Sequence, residues 1–568
     1  MPAEPRGGAS GPDGFRHSDT SVPHTPLAEL AAAPVDLIVI GGGITGAGVA
    51  RDAALRGLRT VLLEKRDLGW GTSSRSSRLI HGGIRYLEHG QLRLVFEALR
   101  ERAVLRAIAP HLVQPLGFVF PLHQGDRLPF WKLAAGMLLY DALALFQKEG
   151  RHRLLGKRAL LEREPALRAN GLRGGARYLD AQCDDARLTV ATARSARLAG
   201  ASVRTYTEVL GFTRENGRIS GVIARDLESG LRVELRASAV VNATGPWCDA
   251  LRAMEDPGAR PLLRRTKGVH VVVPRRRIGH AEAITFLSAV DGRVMFVLPW
   301  GEWSYIGTTD TDTMESPDDV VALPDDVRYL LRSVNNRFPA AHLSEDDVVA
   351  TWAGLRPLVA NHATSASAVS REHVIVEGAA GMVTVAGGKL TTYRSMAAEV
   401  VNVALRRIPS RDGRPWPASS GSESEPLPGG ETPELGSIRA IGIDQGIPDT
   451  TVDHLLRHYG TEAASFYKLL RKEPALVRRL HPEHPAIEAE VVHAARREMA
   501  RRVDDVLVRR IHLHYETHDR GAAAAQRTAE LLGRELGWSA EEIAQQVAAY
   551  EVLARGKPEA SRDVHSNL

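Results

Sequence analysis

The first regular pattern along the chain is a short apolar run followed by a helical one. Residues 35–40, Val-Asp-Leu-Ile-Val-Ile, are mostly β-branched or aliphatic, which is typical of a buried parallel strand. A helical pattern from Ala47 to Leu55 comes next, and a second apolar run covers residues 60–63. Strand, helix and strand in this order predict a βαβ unit with a parallel sheet.

The turn between this strand and this helix carries a glycine-rich fingerprint. Gly41, Gly43 and Gly46 have G-x-G-x-x-G spacing, and Glu64 follows the second strand. In dinucleotide-binding turns such glycines allow a tight turn, the close approach of a pyrophosphate and the packing of helix on strand, while the acid accepts ribose hydroxyls. We therefore predict a dinucleotide site, with a glycine-rich structural turn as the alternative.

Later segments favour a flavin over a nicotinamide. Residues 71–78 form a hydroxyl-rich loop that suits a second phosphate and a ribityl chain, although a solvated serine loop has the same composition. Two further strand-then-glycine segments, 239–247 and 383–393, lie far downstream. A cofactor domain that returns to its sheet after long insertions is expected of an FAD-binding doubly wound fold, whereas a nicotinamide dehydrogenase usually completes that domain in one block.

The rest of the chain divides by pattern. Alternating apolar and polar positions between Gly and Asp turns predict an antiparallel sheet, and these stretches are 219–224, 231–235, 270–274, 294–298 and 304–307. Residues 409–436 are rich in Pro, Gly, Ser and Glu, which indicates a linker. Beyond them Val503, Leu507 and Ile511 recur at four-residue spacing, which predicts a helix packed in a core.

Composition excludes several classes of protein. With 43% hydrophobic and 25% charged residues among 568, the chain is not disordered as a whole, and it has no apolar run of the ~18 residues that a spanning helix needs. Two cysteines cannot build a disulfide framework, and a net charge of +5 does not by itself indicate nucleic acid. Residues 1–33 carry no secretion signal and predict a disordered tail, which favours a cytoplasmic protein.

Seven motifs occur in order along the chain. They are the fingerprint at 41–46, Thr72-Ser73-Ser74 through Ile80-His81-Gly82-Gly83-Ile84-Arg85-Tyr86-Leu87-Glu88, Ala-Thr-Gly-Pro-Trp at 243–247, Lys-Gly-Val-His at 267–270, Gly-Thr-Thr-Asp at 307–310, Gly-Leu-Arg-Pro-Leu at 354–358 and Gly-Gly-Lys-Leu-Thr-Thr-Tyr-Arg at 387–394. With them, residues 34–400 resemble the FAD-dependent, quinone-linked glycerol-3-phosphate dehydrogenases of the aerobic type, and a weaker resemblance continues to the C-terminus. The motifs separate this family less well from the related glycerophosphate oxidases.

The resemblance implies a fold and a domain plan. The fold is α/β, with an FAD-binding doubly wound, Rossmann-like domain of the amino-acid-oxidase type, an antiparallel-sheet substrate domain and a C-terminal helical domain. The expected divisions are a tail 1–33, an oxidoreductase region 34–408, a linker 409–436, a helical domain 437–556 and a tail 557–568. Within the oxidoreductase region the FAD-binding segments are about 34–100, 180–250 and 350–408, and the substrate-binding insertions are about 101–179 and 251–349.

The resemblance also implies where the chemistry lies. The reaction requires a held phosphate, a departing C2 hydroxyl proton and a hydride passed to flavin. Arg85 and Arg356 stand at motif positions as phosphate clamps, with Arg371 as a third candidate, because a guanidinium binds phosphate oxygens bidentately. His270 and Lys389 are the candidates for handling the proton; surface salt bridges for the arginines and a satisfied strand histidine are the alternatives.

A larger set of residues is expected to bind the cofactor. It consists of Gly41, Gly43, Ile44, Thr45, Gly46, Glu64, Lys65, Thr72, Ser73, Ser74, His81, Gly82, Gly245, Gly387, Gly388, Lys389, Leu390 and Thr391. The expected catalytic set is His270, Lys389 and Arg356; Lys389 also belongs with the three arginines as a substrate ligand, and His81 is a weaker candidate for the base. No metal site is predicted.

The electron acceptor depends on one further stretch. Residues 128–140 form an apolar run, followed by basic residues as far as Arg158, which resembles an interfacial amphipathic helix; a buried helix over the substrate domain is the alternative. We predict oxidation of sn-glycerol 3-phosphate to dihydroxyacetone phosphate on FAD, with electrons passed to a membrane quinone by a protein peripheral on the cytoplasmic face, a homodimer being left open. The alternatives are an oxidase that makes hydrogen peroxide and a flavin-bound sensor without turnover.

Overall fold

The computed structural model describes residues 25–83, 86–87, 90–144, 151–360, 372–411, 413–431 and 435–556. The strands in these ranges are β1 Val35–Ile40, β2 Thr60–Leu63, β3 Leu79–Ile80, β4 Val113–His123, β5 Arg153–Gly156, β6 Leu172–Cys183, β7 Ser202–Arg204, β8 Thr207–Glu215, β9 Arg218–Asp226, β10 Arg232–Asn242, β11 Leu263–Pro274, β12 Ala283–Leu287, β13 Val294–Trp300, β14 Trp303–Gly307, β15 Thr311–Asp312, β16 Ala350–Val359, β17 His373–Glu377 and β18 Val383–Gly387. The helices are α1 Leu27–Ala31, α2 Ile44–Leu55, α3 Leu92–Ile108, α4 Phe130–Leu143, α5 Lys157–Arg163, α6 Asp185–Leu198, α7 Cys248–Glu255, α8 Arg275–Ile278, α9 Pro324–Arg337, α10 Tyr393–Ala404, α11 Leu435–Asp444, α12 Asp449–Tyr459, α13 Ala463–Lys472, α14 Glu488–Arg497, α15 Leu513–Glu516, α16 Ala522–Leu536 and α17 Ala540–Arg555.

One sheet is built around the predicted βαβ unit. Its strand order is β17-β18-β10-β1-β2-β7, in which β18, β10, β1, β2 and β7 run parallel and β17 is an antiparallel edge. The first half of β10 instead pairs with the antiparallel hairpin β8–β9. The two distant strand-then-glycine segments thus return to the sheet of β1, β10 beside β1 and β18 beside β10, as predicted for a doubly wound cofactor domain.

Burial on both faces explains why β1 is almost wholly apolar. Leu37 and Val39 face a cluster formed with helices α2, α6 and α10. Ile38 and Ile40 face the opposite cluster, which β8, β9 and α1 complete. Because successive side chains of a strand alternate between faces, a parallel strand covered on both sides requires an uninterrupted apolar run.

The second sheet is the predicted, largely antiparallel one. Its order is β15-β11-β14-β13-β12-β4-β6-β3, with β16 paired to β11 and β5 paired to β6, and only β12–β4 among these pairs is parallel. Helix α9 covers one face. Strands β3 and β16 come from segments that we assigned to the FAD-binding part, so both sheets share those segments and converge at the same place.

The C-terminal region is helical, as predicted. Val503, Leu507 and Ile511 are at most 1% exposed, although the turn around them, Asp505–Arg510, is a π-helix instead of a regular α-helix. Arg510 is completely buried and donates to both carboxylate oxygens of Asp67 at 2.8 Å. The helical region is therefore joined to the cofactor region by a buried ion pair.

Two expected boundaries differ from the structure. Leu27–Ala31 form helix α1 and Leu27 is 2% exposed, so the predicted disordered tail 1–33 is wrong for these residues. In the expected linker 409–436, Leu427 is buried, and Arg51 donates to the carbonyl oxygens of Ser422 and Glu425 at 3.0 and 2.6 Å. Glycine, proline and serine permit this tight packing as well as they permit a linker, and composition cannot separate the two. The tail 557–568 lies outside the described residues.

Candidate active site

A cavity of about 460 Å³ lies where the two sheets meet. Its wall combines the β1–α2 turn, the end of β2, the segment 70–81, strands β11 and β16, and the segment 385–391. Most of the residues that the sequence singled out line it. They are Gly41, Gly43, Ile44, Thr45, Glu64, Lys65, Thr72, Ser73, His81, Gly245, His270, Arg356, Gly387, Gly388, Lys389, Leu390 and Thr391.

One end of this cavity is formed by backbone. Gly41 has a φ of +109°, and a Cβ there would lie 2.7 Å from the carbonyl oxygen of Ala243. A Cβ on Gly46 would overlap the carbonyl oxygen of Gly41. Gly43 precedes α2 in an extended conformation, and as a glycine it offers no capping side chain of its own to this helix. The glycines therefore let the strand, the turn and the positive end of α2 come together at the cavity.

Glu64 occupies the end of β2, as predicted. Its carboxylate accepts hydrogen bonds from the backbone N–H groups of Gly42 at 2.6 Å and Arg66 at 2.8 Å. Burial raises the pKa of this carboxyl group, and the two N–H donors oppose that change. Lys65, beside it, contacts Asp318 at 3.1 Å, so a loop of the second sheet reaches across to the cofactor wall.

The hydroxyl-rich loop and the last glycine segment complete this wall. Ser73 Oγ accepts a hydrogen bond from the N–H of Ile44 at 2.9 Å, which ties the loop to the start of α2. Three predicted residues do not line the cavity, namely Gly46, Ser74 and Gly82. The N–H of Gly82 points instead to the hydroxyl of Tyr140, 3.1 Å away, and thus attaches the wall to helix α4.

His270 lies at the other end of the cavity, where β11 is paired with β16. Its Nε2 is 2.9 Å from Ser77 Oγ, and its ring stacks on Trp352 with centroids 4.9 Å apart. Burial, followed by the positive charges of Arg356 and Arg78, lowers its pKa from 6.5 to about 3. The imidazole is therefore neutral at physiological pH and able to accept a proton.

Arg356 and Lys389 add two cations to the lining of the cavity. The guanidinium of Arg356 contacts Asp310 at 3.1 Å and donates to Thr308 Oγ1 at 2.8 Å. The Nζ atom of Lys389 lies 3.6 Å from the centroid of the Tyr86 ring. A neutral base and two cations around one cavity suit an anionic substrate that loses a proton. Arg85 and Arg371 fall outside the described residues.

Comparison with known proteins agrees with this geometry. The sequence profile described as FAD dependent oxidoreductase matches residues 36–394, and the profile described as the C-terminal domain of alpha-glycerophosphate oxidase matches residues 420–543. "Glycerol-3-phosphate dehydrogenase 2" of Mycobacterium tuberculosis is 40% identical over 542 residues, covering 93% of this chain and 91% of its own. The chain belongs to the family of FAD-dependent glycerol-3-phosphate dehydrogenases.

Other members of this family extend the likeness. "Aerobic glycerol-3-phosphate dehydrogenase" of Staphylococcus epidermidis is 34% identical over 487 residues, covering 84% of this chain and 86% of its own. The crystal structure of glycerol-3-phosphate dehydrogenase from Bacillus halodurans, solved with FAD, superposes with a TM-score of 0.77 at 28% identity and covers 93% of this chain and 96% of its own. The predicted family, fold and cofactor are confirmed: the cofactor is FAD.

The described residues fit FAD as this family uses it. The N-terminus of α2, where the N-cap residue is a glycine and Ser73 accepts from the N–H of Ile44, lies at a tight glycine turn of the cavity wall, which suits the diphosphate. The buried carboxylate of Glu64 stands where ribose hydroxyls bind in this fold. Gly387 and Gly388, with φ of +79° and +88°, also line the cavity in the segment before helix α10.

Several residues at the cavity escaped sequence analysis. Ser77 belongs to the predicted serine loop, so its hydroxyl was visible but its partner, almost 200 positions away, was not. Trp70 and Trp247 line the cavity with ring centroids 6.0 Å apart, and no pattern in the chain marks them as partners. Asp318 accepts hydrogen bonds from Lys65 and Trp247 and lies in a loop without any motif. Only the folded chain brings these residues together.

Proposed function

We propose that the chain oxidises sn-glycerol 3-phosphate at C2 to dihydroxyacetone phosphate and passes the electrons to a membrane quinone. The observation that carries the proposal is that His270, Arg356 and Lys389 line one cavity, with Arg356 close enough to His270 to act on its charge. The printed names of the relatives, glycerol-3-phosphate dehydrogenase and its aerobic form, support the choice of substrate.

Arg356 is proposed to hold the phosphate group. Its fork is oriented from one side by Asp310 Oδ1 at 3.1 Å and by the carbonyl oxygen of Thr309 at 3.1 Å. These contacts restrict the rotamers of a long side chain, so less conformational entropy is lost when it binds an anion. Lys389 adds a second cation for the phosphate or the C2 oxygen, and Arg85 and Arg371 stay predicted ligands.

His270 is proposed to take the C2 hydroxyl proton. Its neutral imidazole has one acceptor nitrogen, which is Nε2 when Ser77 donates to it and the buried Nδ1 when Ser77 accepts, and both residues line the cavity. FAD, when bound, supplies the acceptor for the hydride. The proton would leave the C2 oxygen for His270 and the hydride would leave C2 for bound FAD, so that the C2–O bond becomes the carbonyl of dihydroxyacetone phosphate.

Helix α4 supports a membrane site for the second half of the reaction. Trp131 and Leu138 are 71% and 63% exposed, although Met137 and Tyr140 on the same helix are buried. The inner face reaches the cavity wall through the hydrogen bond from Gly82 to Tyr140. No helix among the described residues is long and apolar enough to cross a membrane. We propose that α4 lies in the membrane interface and offers quinone a short way to the flavin.

Charge on the following segment fits this orientation. Four basic side chains after α4 are exposed, namely Arg151, Arg153, Lys157 and Arg158. Basic residues beside an apolar helix face favour a surface of anionic lipids, each by about 1 kcal/mol. Peripheral attachment to the cytoplasmic face of the membrane is proposed from this arrangement.

The test of the reaction is anaerobic bleaching of the flavin. Adding sn-glycerol 3-phosphate should remove the absorbance of oxidised FAD, and a water-soluble quinone should then restore it faster than air does. Rapid return in air with a matching yield of hydrogen peroxide would identify an oxidase instead. A flavin that the substrate never bleaches would contradict both the dehydrogenase and the oxidase, and would favour a flavin-bound sensor without turnover.

The test of the membrane site is sedimentation with vesicles of anionic lipid. Replacing Trp131 and Leu138 by serine should weaken binding at least about tenfold, because burying each such side chain contributes roughly 1.5–3 kcal/mol. Leu198→Ser is the matched control, since Leu198 is 59% exposed at the end of α6. Equal sedimentation of all three proteins would argue against α4 as the contact.

A further inference from the structure

The base His270 belongs to a closed set of contacts. Its imidazole stacks on the indole of Trp352, with ring centroids 4.9 Å apart and planes 14° from parallel. Trp352 Nε1 donates to the carbonyl oxygen of Ser76 at 3.1 Å. The next residue, Ser77, hydrogen-bonds to Nε2 of His270 at 2.9 Å. Base, indole and two consecutive serines therefore fix one another's positions.

Arg78 extends this set into the core. Its guanidinium lies over four aromatic rings, with Cζ 4.7, 4.9, 5.2 and 5.6 Å from the ring centroids of Tyr305, Trp300, Trp352 and Tyr515. The side chain is 2% exposed. Cation–π contacts are strongest where water is excluded, so this arginine is firmly placed. We call Arg78 and these four rings the arginine cage.

The backbone and the charges around Arg78 agree with a constrained position. Its φ is +54°, in the left-handed region that a non-glycine residue keeps only when its surroundings hold it there. Nη1 donates to the Tyr305 hydroxyl at 2.8 Å, and Nε lies 3.7 Å from Asp185. Tyr515 comes from the C-terminal helical region, so the cage closes only when that region is docked.

We infer that Trp352 and Arg78 are positioning residues for the base: Trp352 sets the plane of the His270 imidazole, and Arg78 holds Trp352 in place and puts a positive charge near the ring. This inference rests on the proposed function, in which His270 accepts the C2 hydroxyl proton. Neither residue is assigned a role by the sequence motifs, although Arg78 lies within the motif 72–88, and neither needs to touch substrate.

The geometry explains why such support is useful. A proton acceptor must meet the hydroxyl within hydrogen-bond distance, and a displacement of about 1 Å can cost a hundredfold in rate. Stacking fixes the ring plane without occupying a ring nitrogen, so it leaves the imidazole's hydrogen-bonding capacity for Ser77 and substrate. A second imidazole hydrogen bond to the protein would consume that capacity.

The charged groups nearest the His270 imidazole are both positive. The charged groups that face His270 are Arg356 from β16 and Arg78 from the segment before β3, both cations. Asp185 and Glu516 lie beyond Arg78 and compensate its charge, and Tyr305 stays protonated because burial raises its pKa. The two cations disfavour protonation of His270, so the ring stays neutral with one nitrogen lone pair available, although its proton affinity is reduced.

The first experiment replaces Trp352 by phenylalanine and by leucine. Stopped-flow reduction of bound FAD at saturating glycerol 3-phosphate should slow about tenfold to a hundredfold in Trp352→Leu, with the substrate dissociation constant changed less than about threefold. Trp352→Phe keeps a flat ring and should stay within about threefold of the wild type. Trp303→Phe, a buried tryptophan of the same sheet that contacts His518, is the matched control.

The second experiment examines the pH profile of the same reduction step. Arg78→Gln removes a cation near His270, so the ring should protonate more readily and the acid limb should move to higher pH. Arg78→Lys keeps the charge and should leave the limb in place, although the rate falls. Arg337→Lys, at a buried arginine paired with Asp126, controls for placing lysine in the core. Melting temperatures and flavin content identify variants that do not fold.

The outcomes separate this inference from the proposed function. Wild-type flavin that glycerol 3-phosphate does not bleach would overturn the reaction and the inference together. Normal bleaching with a wild-type rate in folded Trp352→Leu would overturn the inference alone. A Trp352→Phe variant as slow as Trp352→Leu, or an acid limb that Arg78→Gln leaves unmoved, would count against it equally; if Arg78→Gln does not fold, the Trp352 pair decides.

Discussion

The two ends of the cavity are built by different means. The cofactor end is backbone: one segment, residues 41–46, supplies the turn, the helix start and the space. The substrate end is side chain: His270, Arg356 and Lys389 come from three separate elements. A wall made by missing side chains is damaged by adding atoms, and a site made by side chains is damaged by removing them.

The largest effect is expected from adding one methyl group at the cofactor end. In Gly46→Ala the new Cβ would overlap the carbonyl oxygen of Gly41 on the facing turn, so strand and helix must separate. We expect purified protein to lose at least about nine-tenths of its FAD, measured by absorbance after heat release.

A control at the same end separates this clash from a general cost of alanine. A Cβ added to Gly211, in β8, would meet no other atom within 4 Å, so Gly211→Ala should keep its flavin. Full flavin content in Gly46→Ala would show that the turn is not the tight one that the structure contains.

Removing a side chain at the substrate end should act on turnover and leave flavin in place. Arg356→Ala loses a charge-assisted contact of about 1.5–3 kcal/mol to phosphate, so kcat/KM should fall by one to two decades. Arg356→Lys keeps the charge without the fork and should recover part of the loss. The measurement is steady-state kinetics with a quinone acceptor.

Two comparisons sharpen this test. Trace activity on glycerol, which has no phosphate, should barely change in Arg356→Ala if the guanidinium holds phosphate. Arg264→Ala removes an exposed arginine of β11 that pairs with Asp312, and its kinetics should match the wild type. Equal losses on both substrates would mean that Arg356 acts at the reacting carbon and does not hold the phosphate.

Acid should distinguish the two regions by stability. His270 and His280, in the substrate region, have pKa values lowered by burial from 6.5 to about 3 and about 4. As the pH falls, the unfolded chain takes up protons at these two histidines before the folded protein does. The stability that they contribute is therefore present above pH 6.5 and is lost as the pH falls toward their folded pKa values. At pH 5 the free energy of unfolding has fallen by roughly 2 kcal/mol for each histidine.

The cofactor wall responds with the opposite sign. Burial raises the pKa of Glu64, so the folded form takes up a proton more readily than the unfolded one and is not weakened by mild acid. Hydrogen exchange between pH 7 and 5, corrected for intrinsic rates, should show β11 and β12 losing protection before β1 and β2. Simultaneous loss in all four strands would mean that the regions open as one unit.

The smallest effect concerns the contact between the two ends. Asp318 joins the loop before α9 to Lys65 and to the indole of Trp247. These groups are about one-third exposed, and such ion pairs contribute about 0.2–1 kcal/mol. Asp318→Asn should therefore weaken FAD binding at most about fivefold, measured by titration of the apoprotein, while Asp325→Asn, at an exposed pair with Arg328, should not change it. A larger loss would make this loop a principal part of the FAD site.

The cofactor end could be predicted from the sequence because its determinants are local. Gly41, Gly43, Gly46 and Glu64 act through backbone geometry within one βαβ unit, and a short spacing records that geometry. The sequence could not show that His81 lines the cavity and that its neighbour Gly82 does not. A difference of one position along the backbone decides which of the two residues faces the cavity.

The substrate end could be predicted only through motif positions. His270 and Arg356 were named correctly as residues of one cavity, but their local patterns are those of any strand. Ser77, Arg78 and Trp352 were missed as partners of the base, because Ser77 and Arg78 lie almost 200 positions before His270 in the chain and Trp352 lies about 80 positions after it.

The sequence by itself determined the parts of this protein that depend on short-range geometry: the alternation of strands and helices, the glycine turn and the acid at the end of β2. Tertiary structure alone decided the parts that depend on convergence: the pairing of β11 with β16 that sets His270 beside Trp352, the arginine cage closed by a residue of the C-terminal region, and the packing of the segment expected as a linker. The physical reason is that backbone conformation is governed by neighbours along the chain, whereas burial, stacking and charge compensation are governed by neighbours in space.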